Sequence, residues 1–195
     1  MATPQFTISY AKVEYALAQL HSIAPKDLPR FRSRFGALQR AGMLGARARP
    51  GKGTAVEYGP DEIHRAMLTV ELNQLGISPA VALGFIDRFW TRLRAIFAAA
   101  EKEVVHPTPG GDIVLFLAGT SLVSEGERAV PNLNHVPLRK LPDRLALALT
   151  HDSLAARAVV LNLTAQLRRF HRALAEIHLQ PEPPVEKARK KAKGS

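Results

Sequence analysis

The residues best equipped for chemistry in this sequence are cationic. Between positions 26 and 58, Lys26, Arg30, Arg32, Arg34, Arg40, Arg47, Arg49 and Lys52 stand against only Asp27 and Glu57. Between 186 and 195, Lys187, Arg189, Lys190, Lys191 and Lys193 stand against Glu186 alone. These two segments carry the whole net charge of +10, and the rest of the chain is balanced. A polyanion-binding surface concentrates charge in this way, whereas a solubilising surface scatters it. A planar guanidinium can grip a phosphate or the edge of a guanine with two parallel hydrogen bonds, and a lysine acts as a point charge. The competing reading is a solvated basic face with no partner.

Other chemistries fit less well. The stretch "GARARPGKGT" from Gly45 to Thr54 has the flavour of a phosphate-binding nucleotide loop. That loop needs four residues between its first glycine and Gly-Lys-Ser/Thr. Here five intervene before Gly51-Lys52, and Gly53 displaces the hydroxyl to Thr54. A basic helix also stands where the buried strand should be. The seven histidines form no His-Glu-x-x-His pair, and His171 and His178, near one helix face, lack a third ligand. Ser121, Ser124 and Ser153 sit in no Gly-x-Ser-x-Gly context. With no cysteine, thiol chemistry and disulfides are excluded. The sequence therefore predicts no catalytic constellation, no metal site, no cofactor and no enzymatic activity.

Periodicity assigns the elements that would carry the arginines. Ser9 is a candidate N-cap for a helix with Val13, Ala16, Leu17, Leu20 and Ile23 on one face. "APKDLP" breaks it, and a second helix follows near Leu28. Phe31, Phe35 and Leu38 line one side of that helix, arginines flank the other, and Gly42 suits its end. Residues 43–49 and 54–58 can pair as short strands around the Pro50–Gly53 turn. A third helix starts at Pro60 with Asp61 and Glu62 in its first turn, and Gly76 closes it. A fourth, entered after Ser78, could run to about Val104. Its stripe of Phe85, Phe89, Leu93 and Ile96, with Trp90 beside it, is spaced like a coiled-coil seam and predicts a dimer contact. The alternative is burial within one chain.

"HPTPGGD" marks a domain boundary. Beyond it "DIVLFLAGTSLV" reads as a buried strand, and "HVPLRKLP" and "RLALALTH" as strands or as a strand and a short helix. "SLAARAVVLNLTAQLRRFHRALAEIHL" reads as one long helix. "PEPPVEKARKKAKGS" has proline and charge but no core residues, the composition of a disordered basic tail. The start of the chain lacks a secretory pattern, and no apolar run approaches the ~20 residues of a membrane span.

From Phe35 to Ile86 the order of motifs resembles the DNA-binding domain of MerR-family transcription regulators, over about residues 10–100. Gly42-Met43-Leu44 corresponds to the family's Gly-Leu-Leu, and Arg47 and Arg49 fall in its basic wing, which ends on Tyr58. Gly59-Pro60-Asp61-Glu62-Ile63 starts the next helix, and Leu75-Gly76-Ile77-Ser78 with Val81 and Ile86 completes the pattern. The family's Arg-Tyr-Tyr-Glu stretch is replaced by Gly36, Ala37, Leu38 and Gln39, so those contacts do not carry over. The hairpin is about two residues longer than the common form. The resemblance implies a homodimer with its second helix in the major groove, its wing on the backbone and its fourth helix at the dimer contact.

The sequence thus predicts a mainly α chain with small β elements in four parts. These are a winged helix-turn-helix over 1–78, a long dimerisation helix over 79–105, a small α/β domain over 106–180 and a tail over 181–195. The expected activity is sequence-specific binding of double-stranded DNA by a cytoplasmic, nucleoid-associated homodimeric regulator. Its DNA contacts are Lys26, Arg30, Arg32, Arg34, Arg40, Arg47, Arg49, Lys52 and Tyr58. Its dimer contacts are Phe85, Phe89, Trp90, Leu93 and Ile96. The C-terminal domain is left to a protein partner or small effector. The alternative is a nucleoid or adaptor protein that uses the same fold for protein contacts or non-specific DNA contacts.

Overall fold

A computed structural model describes residues 8–43, 57–118, 133–150 and 158–179. Its described part is mainly helical, with two small antiparallel sheets. Helix α1 (Tyr10–Leu20) follows Ser9, whose backbone is extended but whose side chain makes no cap bond. It buries Val13, Ala16, Leu17 and Leu20, the stripe that the periodicity predicts. A single 3₁₀ turn (Pro25–Asp27) leads into α2 (Leu28–Arg40). Pro29 is tolerated because the first turn of a helix has no use for its missing N–H. Phe31, Phe35 and Leu38 are the buried face of α2.

Helix α3 (Pro60–Gln74) begins at Gly59, whose N–H donates to Glu62 Oε2 at 3.0 Å. Helix α4 (Pro79–Val105) begins at Ser78, whose Oγ accepts from Val81 N. At 27 residues it is the longest described element. Helices α1, α2 and α3 all end on one device. The residue after the cap adopts positive φ, and the next amide reaches back five residues: Ile23 to Ala18, Met43 to Leu38 and Ile77 to Leu72. That residue is Gly42 after α2 and Gly76 after α3, but Ser22 after α1.

The described end of the expected hairpin pairs with the start of the described chain. Strand β2 (Glu57–Tyr58) pairs antiparallel with β1 (Ile8–Ser9), in register Ile8 with Tyr58. The buried Tyr58 ring draws it there, 6.1 Å from the ring of Tyr10 at the start of α1. The expected partner strand, 43–49, lies outside the described residues from position 44 onward.

Strand β3 (Ile113–Ala118) is the centre of a second sheet, between β4 (Leu133–Pro137) and β5 (Ala158–Asn162), both antiparallel to it. "HVPLRKLP" is therefore strand only as far as Pro137, and "RLALALTH" is helical as far as Thr150, the last described residue of α5 (Leu141–Thr150). The single long helix expected from Ser153 is corrected. Residues Ala158–Asn162 are strand, and α6 starts only at Leu163 and runs to Leu179. The pair Val159-Val160 is β-branched, and such side chains favour a pleated strand. Asn162 then caps α6, its Oδ1 accepting from Ala165 N at 2.9 Å while its Nδ2 donates to Asp112. Replacing Asn162 by Ala is expected to cost about 1 kcal/mol, read as a lower urea midpoint with unchanged slope.

The core runs across the boundaries expected at 78/79 and 105/106. Helix α6 lies along α1 and α4, and β3 backs onto both α4 and α6. Leu115, Leu117, Leu161, Leu167 and Phe170 join one apolar cluster with Val13, Leu17, Leu68 and Phe97. Because side chains alternate along a strand, Val114 and Phe116 are buried on the other face of β3. The same packing covers three residues of the expected dimer stripe within the chain. Phe85, Leu93 and Ile96 are 5%, 0% and 1% exposed within the single chain, where α4 packs against α3 and α6. Phe89 and Trp90 are half-buried. An amphipathic stripe must be covered, but its spacing does not say whether the covering helix belongs to the same chain.

Candidate nucleic-acid interface

Helix α2 has no acidic residue, and its outward side is organised around small ones. Opposite Phe31, Phe35 and Leu38 lie Ser33, Gly36 and Ala37, spaced to share one face. Arg30 and Arg34, one turn apart, border that face on one side, and Arg32 borders it on the other. Arg40 continues it toward the C-terminal end, with Nη1 3.5 Å from where a Cβ on Gly36 would stand. All four arginines and Lys26 are exposed. The face is therefore small at Ser33, Gly36 and Ala37 and carries one cation, Arg40, over Gly36.

Two of the arginines are braced by the fold. Arg32 Nε donates to Glu14 Oε1 of α1 at 2.7 Å, while 62% of the Arg32 side chain stays exposed. Arg34 Nη2 donates to the carbonyl of Asn73 at 3.3 Å, in the last turn of α3 where the helix dipole favours a cation. Each bond uses one of the five guanidinium donors, so both side chains keep donors for a ligand. Lys26 and Arg30 make no ion pair or hydrogen bond among the described residues.

Tyr58 is corrected as a DNA contact. It is fully buried, and its hydroxyl accepts from Gln39 Nε2 at 3.0 Å. Burial pushes that hydroxyl far above the ordinary tyrosine range. Tyr58 pins β2 to the last turn of α2, and no nucleic acid can reach it. Arg47, Arg49 and Lys52 lie outside the described residues.

Sequence reasoning missed Arg65. This α3 side chain is only 8% exposed. Its Nε donates to the carbonyl of Met43 at 3.3 Å, its Nη2 pairs with Asp87, and its guanidinium lies 4.9 Å from the centre of the Trp90 ring. It ties Met43, three residues past the end of α2, to α4. The signal was the Asp87–Trp90 spacing, three apart on one helix face. A lone arginine in an amphipathic helix does not announce burial.

Two polar clusters lie where α6 meets the N-terminal helices. In one, Glu101 Oε1 is 3.2 Å from His64 Nε2 and 3.4 Å from His171 Nε2, and His64 stacks on Phe97. The two imidazoles hold the Glu101 carboxyl at about 2, against the cost of its burial. An ionised carboxylate only accepts, so each Nε2 carries a hydrogen. In the other cluster, His21 Nδ1 is 3.5 Å from Glu71 Oε2. Burial lowers His21 to about 4 and raises Glu71. Among the described residues no group of three or more His, Cys, Asp or Glu is arranged to hold a metal, and no helix is long and apolar enough to cross a membrane.

No protein-family model matches the chain, and no curated protein matches it.

Proposed function

We propose that this chain binds double-stranded DNA as a MerR-like winged helix-turn-helix regulator, with α2 entering the major groove. The observation that carries the reading is the outward face of α2, where Ser33, Gly36 and Ala37 are flanked by Arg30, Arg32 and Arg34 and continued by Arg40, whose guanidinium lies over Gly36, with no acidic residue in the helix. A helix with cations along its outward side and no carboxylate suits a major groove lined by phosphates. The basic segment holding Arg47, Arg49 and Lys52 is assigned to the phosphate backbone beside the groove, and the lysine-rich tail adds sequence-independent affinity. The reading includes a homodimer on a two-fold-related site. Its contact lies elsewhere than Phe85, Leu93 and Ile96, which are spent inside the chain. It also puts the protein on the nucleoid.

The test is selection from a random-sequence duplex pool, followed by titration of the recovered duplex. The triple substitution Arg30→Ala, Arg32→Ala, Arg34→Ala is expected to weaken binding at least about 100-fold, since a good bidentate base contact is worth about 1–3 kcal/mol. The slope of log K against log salt should also fall, by about 0.9 for each phosphate no longer neutralised. Undiminished binding by the triple variant removes α2 from the interface. Recovery of no preferred sequence by the parent chain favours a non-specific nucleoid role.

A further inference from the structure

The three helix ends that share one cap differ in a telling way. Glycine occupies the left-handed position after α2 and after α3, where it costs least. After α1 that position is Ser22, at φ 53, and an L-residue is disfavoured there. What distinguishes Ser22 from the two glycines is a side chain that is used. Its Oγ accepts from Arg169 Nη2 at 3.2 Å, from a helix 147 residues away in the chain. The neighbouring His21 is buried, with Nε2 lacking any partner and Nδ1 facing Glu71. Glu71 in turn is hydrogen-bonded by Gln166, one turn before Arg169 on α6. Residues 21–24 lead directly into the Pro25–Asp27 turn and α2.

We propose that α6 positions α2: Arg169 on Ser22 and Gln166 on Glu71 fix the turn from which the basic helix departs. The chain's last described helix then belongs to the machinery that presents Arg30, Arg32 and Arg34. Because α6 also backs onto β3, anything that shifts the second sheet has a mechanical route to α2. The effect on DNA rests on the reading given above; the effect on α2 does not.

The test uses Arg169→Met and Ser22→Gly in the full chain, with two readouts. The first is hydrogen exchange at the amides of Arg32 to Gly36, compared with those in the middle of α3. Both variants are expected to speed exchange in α2 about fivefold and leave α3 unchanged. Ser22→Gly should do so without lowering the melting temperature, because glycine relieves the left-handed residue. A purely stabilising role for the serine would not give that combination. The second readout is titration of a random-sequence duplex pool at several salt concentrations. Affinity is expected to fall about three- to tenfold in both variants, with an unchanged salt slope. Unchanged α2 exchange in both variants overturns the proposal. A salt slope lowered by about 1 in Arg169→Met also overturns it, since that marks Arg169 as a phosphate contact. If the parent chain binds no duplex while exchange in α2 accelerates in the variants, the positioning stands and the DNA reading falls.

Discussion

Leu93→Ala is expected to lower the unfolding free energy by about 2–5 kcal/mol. Leu93 is fully buried on α4, in a cluster that includes Ile96, Phe97 and Leu68, and truncation both forfeits transfer energy and opens a cavity. The size matters less than its dependence on concentration. A residue at a dimer seam is stabilised by mass action, so the cost of truncating it changes with protein concentration; a residue inside one chain shows no such dependence. Denaturant titrations of parent and variant at two well-separated concentrations should therefore give the same difference. Phe89→Ala is the internal comparison. That ring is half-buried, 5.2 Å from Phe85, and its removal should cost less than that of Leu93. A Leu93→Ala penalty that grows on concentrating the protein would restore the α4 stripe as an interface.

Stability is expected to fall by about 3 kcal/mol on acidification from pH 6.5 to pH 4 through His21 alone. The folded chain holds this imidazole at about 4 rather than 6.5, chiefly because burial penalises its charged form and secondarily because Arg169 lies near. The unfolded chain therefore takes up a proton over that window and the folded chain does not, which favours unfolding. A shift of that size is worth about 1.4 kcal/mol per pH unit. The stability is whole above 6.5 and fully lost below 4. Glu71 acts in the opposite sense, since its raised carboxyl binds a proton more readily when folded. Glu101, held at about 2, adds a second loss at lower pH, as the pH falls from about 4.5 toward 2. Urea titrations across pH should show the first decline in the parent chain and a flattened profile between 6.5 and 4 in His21→Gln. An equally steep decline in that variant would assign the acid sensitivity to other groups.

The helical half was legible because each signal there is local. Pro29, Pro60 and Pro79 open helices where the sequence places them, and Gly42 and Gly76 close two of them. Phe31, Phe35 and Leu38 fall on one side of α2 and the arginines on the other, as period 3.6 requires. The C-terminal half was less legible. The run "RAVVLNLTAQL" satisfies a helical period well enough to pass as one helix, yet β3 offered a pairing edge that turned its first part into β5. Tertiary context overrides propensity where an apolar run is short and its neighbour is far away in sequence. Ser22 is the same lesson in small: it stands where the equivalent positions after α2 and α3 carry glycine, and its hydroxyl accepts from Arg169 on α6, far away in sequence.

By itself the sequence determined the helices α1 to α4, the basic side of α2 and the absence of thiol chemistry, because periodicity, caps and composition are properties of neighbouring residues. Only the tertiary structure decided who covers whom. It sent Tyr58 into the core, buried Phe85, Leu93 and Ile96 within one chain, hid the Arg65 cation between Asp87 and Trp90, and laid α6 along α1. A hydrophobic stripe states that it must be removed from water, at about 25 cal/mol for each Å² buried, and that energy has no direction. The partner is chosen by the fold that can cover every stripe at once.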